Sequence, residues 1–424
     1  MEMILSMFLS MTTKRSLYVL AAVAIVMIFC PIVEAATLVV TSTADSDNFE
    51  CLRGAIGVAI SGDVISFDLG DDATITLTEG QLDIDKNLEI RGPGATDLTI
   101  DAAGGSRVLR ITSGVTVQIS GITITGGDSL EDGGGIYNSG ALTIRGCAVR
   151  NNTTSGYKKN GGGVYSNYSL ALENCEISGN HATGYGGGVY CKEQNSTMTN
   201  CTITNNTSDF EGGGIRHDNT LHVSNCTITD NSTSRRGGGF IAVGNTIHLK
   251  NSIVANNNAS IGFPDIYVSG GQIESHGFNL IEDSGDCTIT PAGGLSSDIF
   301  GVDPMLGSLD YHGGETRTVA LLEGSSAIDN GSSTDIDGNF VSTDQRGISR
   351  PQGSGCDIGA FELVVESSGD IEEDDEDEES DDIASDEPEP VWGAASSGGC
   401  QAGPWGPGVL LLLVPLVFLL KSGR

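Results

Sequence analysis

Between Gly133 and Asn257 one phrase of about 25 residues is written five times, and a repeat of that length excludes a single globular core. It specifies units that bury their apolar residues against copies of themselves. The triplet Gly-Gly-Gly begins at Gly133, Gly161, Gly186, Gly212 and Gly237. Each triplet leads to a Cys-x-[Ile/Val]-x-x-Asn phrase starting at Cys147, Cys175, Cys201 and Cys226, with Ser252 taking the cysteine's place in the last copy. Before each cysteine stands an apolar i, i+2 pair: Leu142 and Ile144, Leu170 and Leu172, Leu221 and Val223, Ile247 and Leu249, with Ser196 and Met198 as the polar exception. Alternation at i, i+2 places those side chains on one face of a strand, whereas a helix needs i, i+3, i+4.

A second inward column follows the cysteine at Val149, Ile177, Ile203, Ile228 and Val254, and a third follows the glycines at Ile136, Val164, Val189, Ile215 and Phe240. Between the first pair and the cysteine the spacing slips from two to three, so the chain must bend there. Short strands joined by bends describe an all-β fold, a right-handed single-stranded parallel β-helix. Equivalent residues of neighbouring coils then lie one strand spacing apart, about 4.8 Å. The column Asn152, Asn180, Asn206, Asn231 and Asn257 suits a corner, because Asn tolerates left-handed backbone angles and its amide can bond from coil to coil.

The expected organisation is a signal peptide over 1–35, an N-terminal cap over 36–67 and coils over 68–257. Further coils and a cap over 258–365 would be followed by a disordered acidic linker over 366–395 and a C-terminal sorting or membrane-anchor signal over 396–424. Lys14 and Arg15 precede an apolar run from Leu17 to Val33, and Ala35 offers a small residue for cleavage before Ala36. Glu366 to Pro390 holds fifteen acidic residues and no basic one, a run that repels itself into an extended tether, with cation loading as the lesser alternative. Val409 to Leu420 is apolar, shorter than the roughly 20 residues that comfortably span a bilayer, and ends at Lys421 and Arg424.

Several segments resemble known families. Cys51-Leu52-Arg53-Gly54-Ala55 with Gly62-Asp63-Val64-Ile65-Ser66-Phe67 is similar to the CSLREA domain, with Gly54 where that pattern has glutamate. The Gly-Gly-Gly and Cys-x-Ile-x-x-Asn coils resemble polymorphic outer-membrane-protein repeats. Asn279-Leu280-Ile281, Asp303-Pro304, Gly324 to Asp329, Asp344-Gln345-Arg346-Gly347, Arg350-Pro351 and Asp357 to Glu362 follow in order the choice-of-anchor Q domain of bacterial surface proteins. That domain carries no assigned reaction; the expectation here is that it finishes the solenoid, with Phe361 as a terminal plug. Gly399-Cys400 ahead of the apolar run resembles a Synergist-type C-terminal sorting signal, the alternative being an ordinary retained membrane anchor. These resemblances imply an exported protein held at the cell envelope or surface, or released after processing, whose partners are the export machinery, a sorting protease and the membrane at its C-terminus.

The expected role is structural or adhesin-like display without catalysis. A β-helix polysaccharide lyase or glycoside hydrolase is the alternative, and it needs clustered carboxylates on one outward face. Outward strand positions in the five coils are mostly Thr, Ser, Arg and Asn, with no Asp column, and no catalytic residue is assigned. With a net charge of −35, nucleic acid is not an expected partner. A candidate ligand stripe lies in the inserts before the glycine triplets, which bring Tyr157, Lys158, Lys159, Tyr185, Phe210, Arg235 and Arg236, together with His181, to the same side of successive coils. Rings beside cations suit a glycan or anionic polymer on a cell surface, the alternative being ordinary loop variation. His222 and His248 read as solvated polar positions. No cofactor is expected and no metal, apart from structural calcium at Asp335, Asp337 and Asn339. The cysteine column reads as a reduced, packed stack, with disulfides between coils as the alternative.

Overall fold

The computed structural model describes residues 35–294 and 297–364; the segments expected to be leader, acidic linker and sorting signal lie outside the described residues. The chain winds as a right-handed parallel β-helix. Its walls are sheets of 11, 10 and 8 strands, with a further 6-stranded sheet of two-residue strands at one corner. Among the described residues the smallest of the three main sheets limits the complete coils to 8, and residues beyond Asp303 do not coil.

The inward columns stack in the expected register. Leu142 pairs with Leu170, then Ser196, Leu221 and Ile247; Val149 with Ile177, Ile203, Ile228 and Val254; Ile136 with Val164, Val189, Ile215 and Phe240. All are buried, and Phe240 is the largest of the fully buried side chains.

Two kinds of corner residue appear where the sequence suggested one. The left-handed backbone falls on the position before each ladder asparagine: Asn151, Gly179, Asn205, Asp230 and Asn256, with φ from 55° to 63°. The asparagines of the column itself turn inward and form a continuous amide ladder. Asn152 Nδ2 donates to Asn180 Oδ1 (3.1 Å), Asn180 to Asn206 (2.9 Å), Asn206 to Asn231 (2.9 Å) and Asn231 to Asn257 (3.0 Å). Each oxygen also accepts the backbone N–H of the preceding ladder asparagine, at 3.0–3.1 Å. Asp265 ends the ladder by accepting both donors of Asn257. The slip before each cysteine is likewise a left-handed residue: Gly146, Asn174, Asn200, Asn225 and Asn251.

Within the glycine triplets only the first residue has positive φ, 77° at Gly133 and 63° at Gly161. The third is glycine for lack of space: a Cβ on Gly163 would stand 2.7 Å from Gly188 O and 2.9 Å from Asn180 Cγ. The glycine corner and the asparagine ladder therefore pack directly on each other.

At the N-terminal end, strand Thr37–Val40 pairs with Asp63–Phe67, and helix Leu52–Val58 buries Leu52, Ala55 and Ile56 over the first coil. Arg53 fastens this lid, bonding Asp45 (2.7 and 3.0 Å) and the carbonyls of Gly80 and Gln81.

The C-terminal segment departs from the expectation of a terminal plug. After Asp303 the chain reverses and runs along the outside of the 10-stranded sheet. Thr96 donates to Glu315, Thr202 to Gln345, and Ala360 N to Thr227 Oγ1. Arg317 pairs with the fully buried Glu176. This strap buries outward positions that the sequence presents as solvated, Thr202, Thr204, Thr227 and Thr229 among them. Phe361 packs with Ile253, Ala255, Leu280 and Ile358 in a second core between strap and sheet. Bare, the outward Ile253, Ala255 and Leu280 would leave an apolar patch at this end of the sheet, which is the physical reason that the strap covers it.

The strap is held together by its own charges. Arg350 and Glu362, both fully buried, meet at 2.8 Å. Glu362 also accepts the N–H groups of Gln352 and Asp357, and Arg346 bonds Asp344 while lying over the ring of Phe361, 3.6 Å from its centroid. The residue string from Asp344 to Glu362 thus closes on itself as one network. Among the described residues no helix is long and apolar enough to cross a membrane.

Candidate functional site

The inserts that precede the glycine triplets stack on one corner, and the structure brings most of the expected stripe together. Phe210 is at its centre. Tyr185 lies 5.5 Å away ring to ring, Lys158 Nζ stands 4.7 Å from the Phe210 centroid, and the Arg235 guanidinium stands 4.9 Å from it. Lys158 also reaches Tyr157, at 5.4 Å. Arg236 lies over Tyr267 at 5.1 Å. Lys159 is drawn off to Glu131, at 2.6 Å, which holds the Glu131 carboxyl below its usual range. His181 leaves the stripe to bond Thr207 Oγ1.

Beside this corner, on the outer face of the 8-stranded sheet, runs a row that the repeat alignment missed: Tyr137, Tyr165, Tyr190, Arg216, Ile241 and Tyr267 are register partners in six successive coils. Five strand steps give it a length of about 24 Å. Tyr137 and Tyr165 stack at 5.3 Å, and Tyr165 meets Tyr190 edge-on at 5.4 Å. Arg216 joins the row to the corner, with its guanidinium 4.0 Å from the Tyr185 centroid and 5.4 Å from that of Tyr190. The signal available was the Tyr-two-after-glycine position in three coils, Tyr137, Tyr165 and Tyr190.

Exposure separates the roles. Tyr165 and Tyr190 are buried, and burial raises both phenols; Tyr190 also gives its hydroxyl to Asp218. They form the floor. Tyr157, Lys158 and Arg235 are exposed, while Tyr185, Phe210 and Arg236 are half-buried. The carboxylates beside the row are already engaged: Asp218 and Glu211 by Arg216, Asp132 by Asn160. Arg236 is different, because its Nε is enclosed without a hydrogen-bond partner among the described residues. A groove of about 350 Å³ bounded by Arg107, Arg110, Glu131, Asp132 and Tyr137 continues the row at its N-terminal end. The arrangement offers cations held flat on rings, suited to sulfate, phosphate or carboxylate groups spaced along a polymer.

The other expected residues are placed as follows. Asp335 turns onto its own loop, accepting from Asn339 N (2.8 Å) and Nδ2 (3.0 Å), so calcium there would have to displace those bonds. Asp337 lies instead near His248 and His276. Cys147, Cys175, Cys201 and Cys226 form a buried column of free thiols, each donating to a carbonyl, and burial raises Cys147, Cys175 and Cys201. Ala35 is exposed, and the next residue, Ala36, donates its N–H to the buried Asp63 at 2.8 Å. Gly399 and Cys400 lie outside the described residues.

Comparison with known proteins bears on the fold. The family model described as a right-handed β-helix region matches residues 108–291. No curated protein sequence matches the chain. Among solved structures it is similar to pectate lyase Pel9A, at 14% identity and a TM-score of 0.40, over 78% of this chain and 97% of that one.

Proposed function

We propose that this chain is an exported, envelope-held display protein whose corner stripe binds an anionic polymer, of the class of acidic glycans, without cleaving it. The observation that carries the reading is the group Lys158, Arg235 and Arg236, cations assembled on rings in a chain of net charge −35. Sugar or phosphate oxygens would meet Lys158 and Arg235, the exposed cations of the group. Export and anchoring rest on the sequence pattern of the first 35 residues, the acidic linker and the Gly399-Cys400 tail, with the CSLREA-like lid and choice-of-anchor-like strap closing the solenoid's first coil and flank. A β-helix is shared by surface proteins and polysaccharide-degrading enzymes, so fold alone does not choose.

The test is binding of the full chain to heparin and to polygalacturonate, compared with a variant carrying Ser at Lys158, Lys159, Arg235 and Arg236. Binding that falls with added salt and is lost in the variant supports the reading; unchanged binding removes it. Release of new chain ends from either polymer would establish the enzyme alternative. Intact mass and fractionation in the native host address the anchor: loss of the tail near Cys400 supports sorting, and an uncleaved tail makes the protein an ordinary membrane-tethered solenoid.

A further inference from the structure

A separate cluster lies on the outer face of the 11-stranded sheet. His222, His248 and Glu274 are register partners in three successive coils. His276 follows two residues after Glu274, anchored by its N–H to Leu249 O. The His222 and His248 rings are 4.7 Å apart and those of His248 and His276 5.3 Å apart. His248 Nδ1 stands 3.1 Å from His276 Nε2 and 3.4 Å from Glu274 Oε2, and the three ligand atoms lie within 4.8 Å of one another.

We propose that His248, Glu274 and His276 form a binding site for a divalent transition-metal cation, zinc by class. Two of the three separations are near those of a ligand set, the shorter being a His–His hydrogen bond that a metal would replace. Tetrahedral zinc, with ligands at about 2.0–2.2 Å, holds its donor atoms about 3.3–3.5 Å apart, close to the two separations seen here. Two imidazoles and one carboxylate match the preference of zinc and its neighbours, whereas calcium and magnesium take oxygen ligands.

Coordination requires neutral imidazoles. Burial, then the neighbouring His222, lowers His248; burial, with His222 and Lys250, lowers His276, while Glu274 and Asp337 act in the opposite direction on both. Lys250 is itself tied to Thr334 Oγ1 and Asp335 O of the strap, at 2.7 and 3.0 Å. His248 and Glu274 ride on adjacent strands of a stacked sheet, and His276 directly follows the second strand with its N–H bonded to Leu249 O, so backbone hydrogen bonds set their spacing. His248 and Glu274 keep 21% and 33% of their side-chain surface exposed, which leaves a fourth position open to water or to an outside donor. A metal here would tie consecutive coils together beside the strap.

The test uses the full chain purified without a polyhistidine tag and stripped with chelator. Zinc is titrated by calorimetry, and cobalt by visible absorption, whose intensity reports four-coordinate geometry. The expected result is about one equivalent bound, with affinity weakened at least about tenfold by His248→Ala, Glu274→Gln or His276→Ala. His181→Ala, a histidine in the corner inserts, should leave it unchanged. Glu274→Gln preserves shape, and circular dichroism of each variant separates lost ligation from lost fold. Lowering the pH from about 7.5 to about 5.5 should weaken binding as protons compete for the imidazoles. Absence of zinc uptake by the folded protein, or uptake unchanged in all three variants, would overturn the proposal.

Discussion

Two neighbouring asparagines, Asn205 and Asn206, should respond to alanine by different mechanisms and amounts. Asn205 is exposed and has φ 56°; its replacement meets mainly the left-handed backbone penalty of about 1 kcal/mol. Asn206 is fully buried in the ladder. Truncating it removes the acceptor for Asn180 N (3.0 Å) and Nδ2 (2.9 Å), and the donor to Ile177 O (2.8 Å) and Asn231 Oδ1 (2.9 Å). Asn180 Nδ2 retains Val149 O, and Asn231 Oδ1 retains the backbone N–H of residue 206, so neither is stranded. The Asn180 N–H loses its ladder acceptor. Four net hydrogen bonds at about 0.5–1.5 kcal/mol each, with about 1–3 kcal/mol for one stranded buried donor, place the cost at roughly 3–9 kcal/mol. Urea unfolding followed by circular dichroism measures both variants. Because a solenoid can open segment by segment, hydrogen exchange at the Asn180 amide supplies a local reading. If Asn206→Ala costs no more than Asn205→Ala, or the Asn180 amide stays protected, the ladder is not what holds this corner.

Three further outcomes follow from other parts of the fold. Arg350→Ala strands the buried Glu362 and should cost about 3–5 kcal/mol, loosening the strap so that limited proteolysis cuts first within residues 303–364; cleavage elsewhere first would contradict the network's role. Gly54→Ala should lower the melting temperature, since a Cβ there would run into the backbone carbonyl of Asn48, with Asp47 O a further 2.6 Å contact, for at least about 1–3 kcal/mol of strain. The third concerns pH. Burial pushes His217 down to about 4, so its neutral form supports the fold above its unfolded value near 6.5, and that support drains away as pH falls towards 4. Burial pushes Asp265 up to about 7, so its contribution is full below about 4 and is lost as pH rises through 7. At about 1.4 kcal/mol per pH unit the two amount to roughly 3 and 4 kcal/mol in opposite directions. His217→Asn borrows the chemistry of Asn138, whose Oδ1 accepts the N–H two residues on as His217 Nδ1 does. Relative to the unsubstituted chain it should favour the fold more at pH 4.5 than at pH 7, and Asp265→Asn should do the reverse; urea midpoints at both values would show it, and parallel shifts would refute it.

What the sequence makes legible is whatever recurs at one strand position per coil. Leu142 and Leu170 are recognisable as inward because the next coil repeats the demand, and the slip before each cysteine marks a bend because register must be regained. Mixed columns conceal themselves: Asn138, Ser166, Cys191 and His217 are successive inward register partners, all buried, yet share no chemistry that an alignment would flag. The repeat then loses its phase where Phe263-Pro264-Asp265 takes the place of a glycine triplet, receiving the N–H bonds of Gly237, Gly239 and Phe240. That substitution hides Glu274 and His276, so His222 and His248 read as two solvated histidines and not as part of a cluster. The strap is hidden for a different reason. Alternation reports which side of a strand is apolar, and in Thr202–Thr204 and Thr227–Thr229 the outward threonines are as compatible with water as with a cover. The cover becomes visible only through Arg317 meeting Glu176 and Gln345 meeting Thr202, contacts that span 141 and 143 residues. Local pattern fixes the coil; what lies against its outer faces, including the sites on them, depends on contacts that no period encodes.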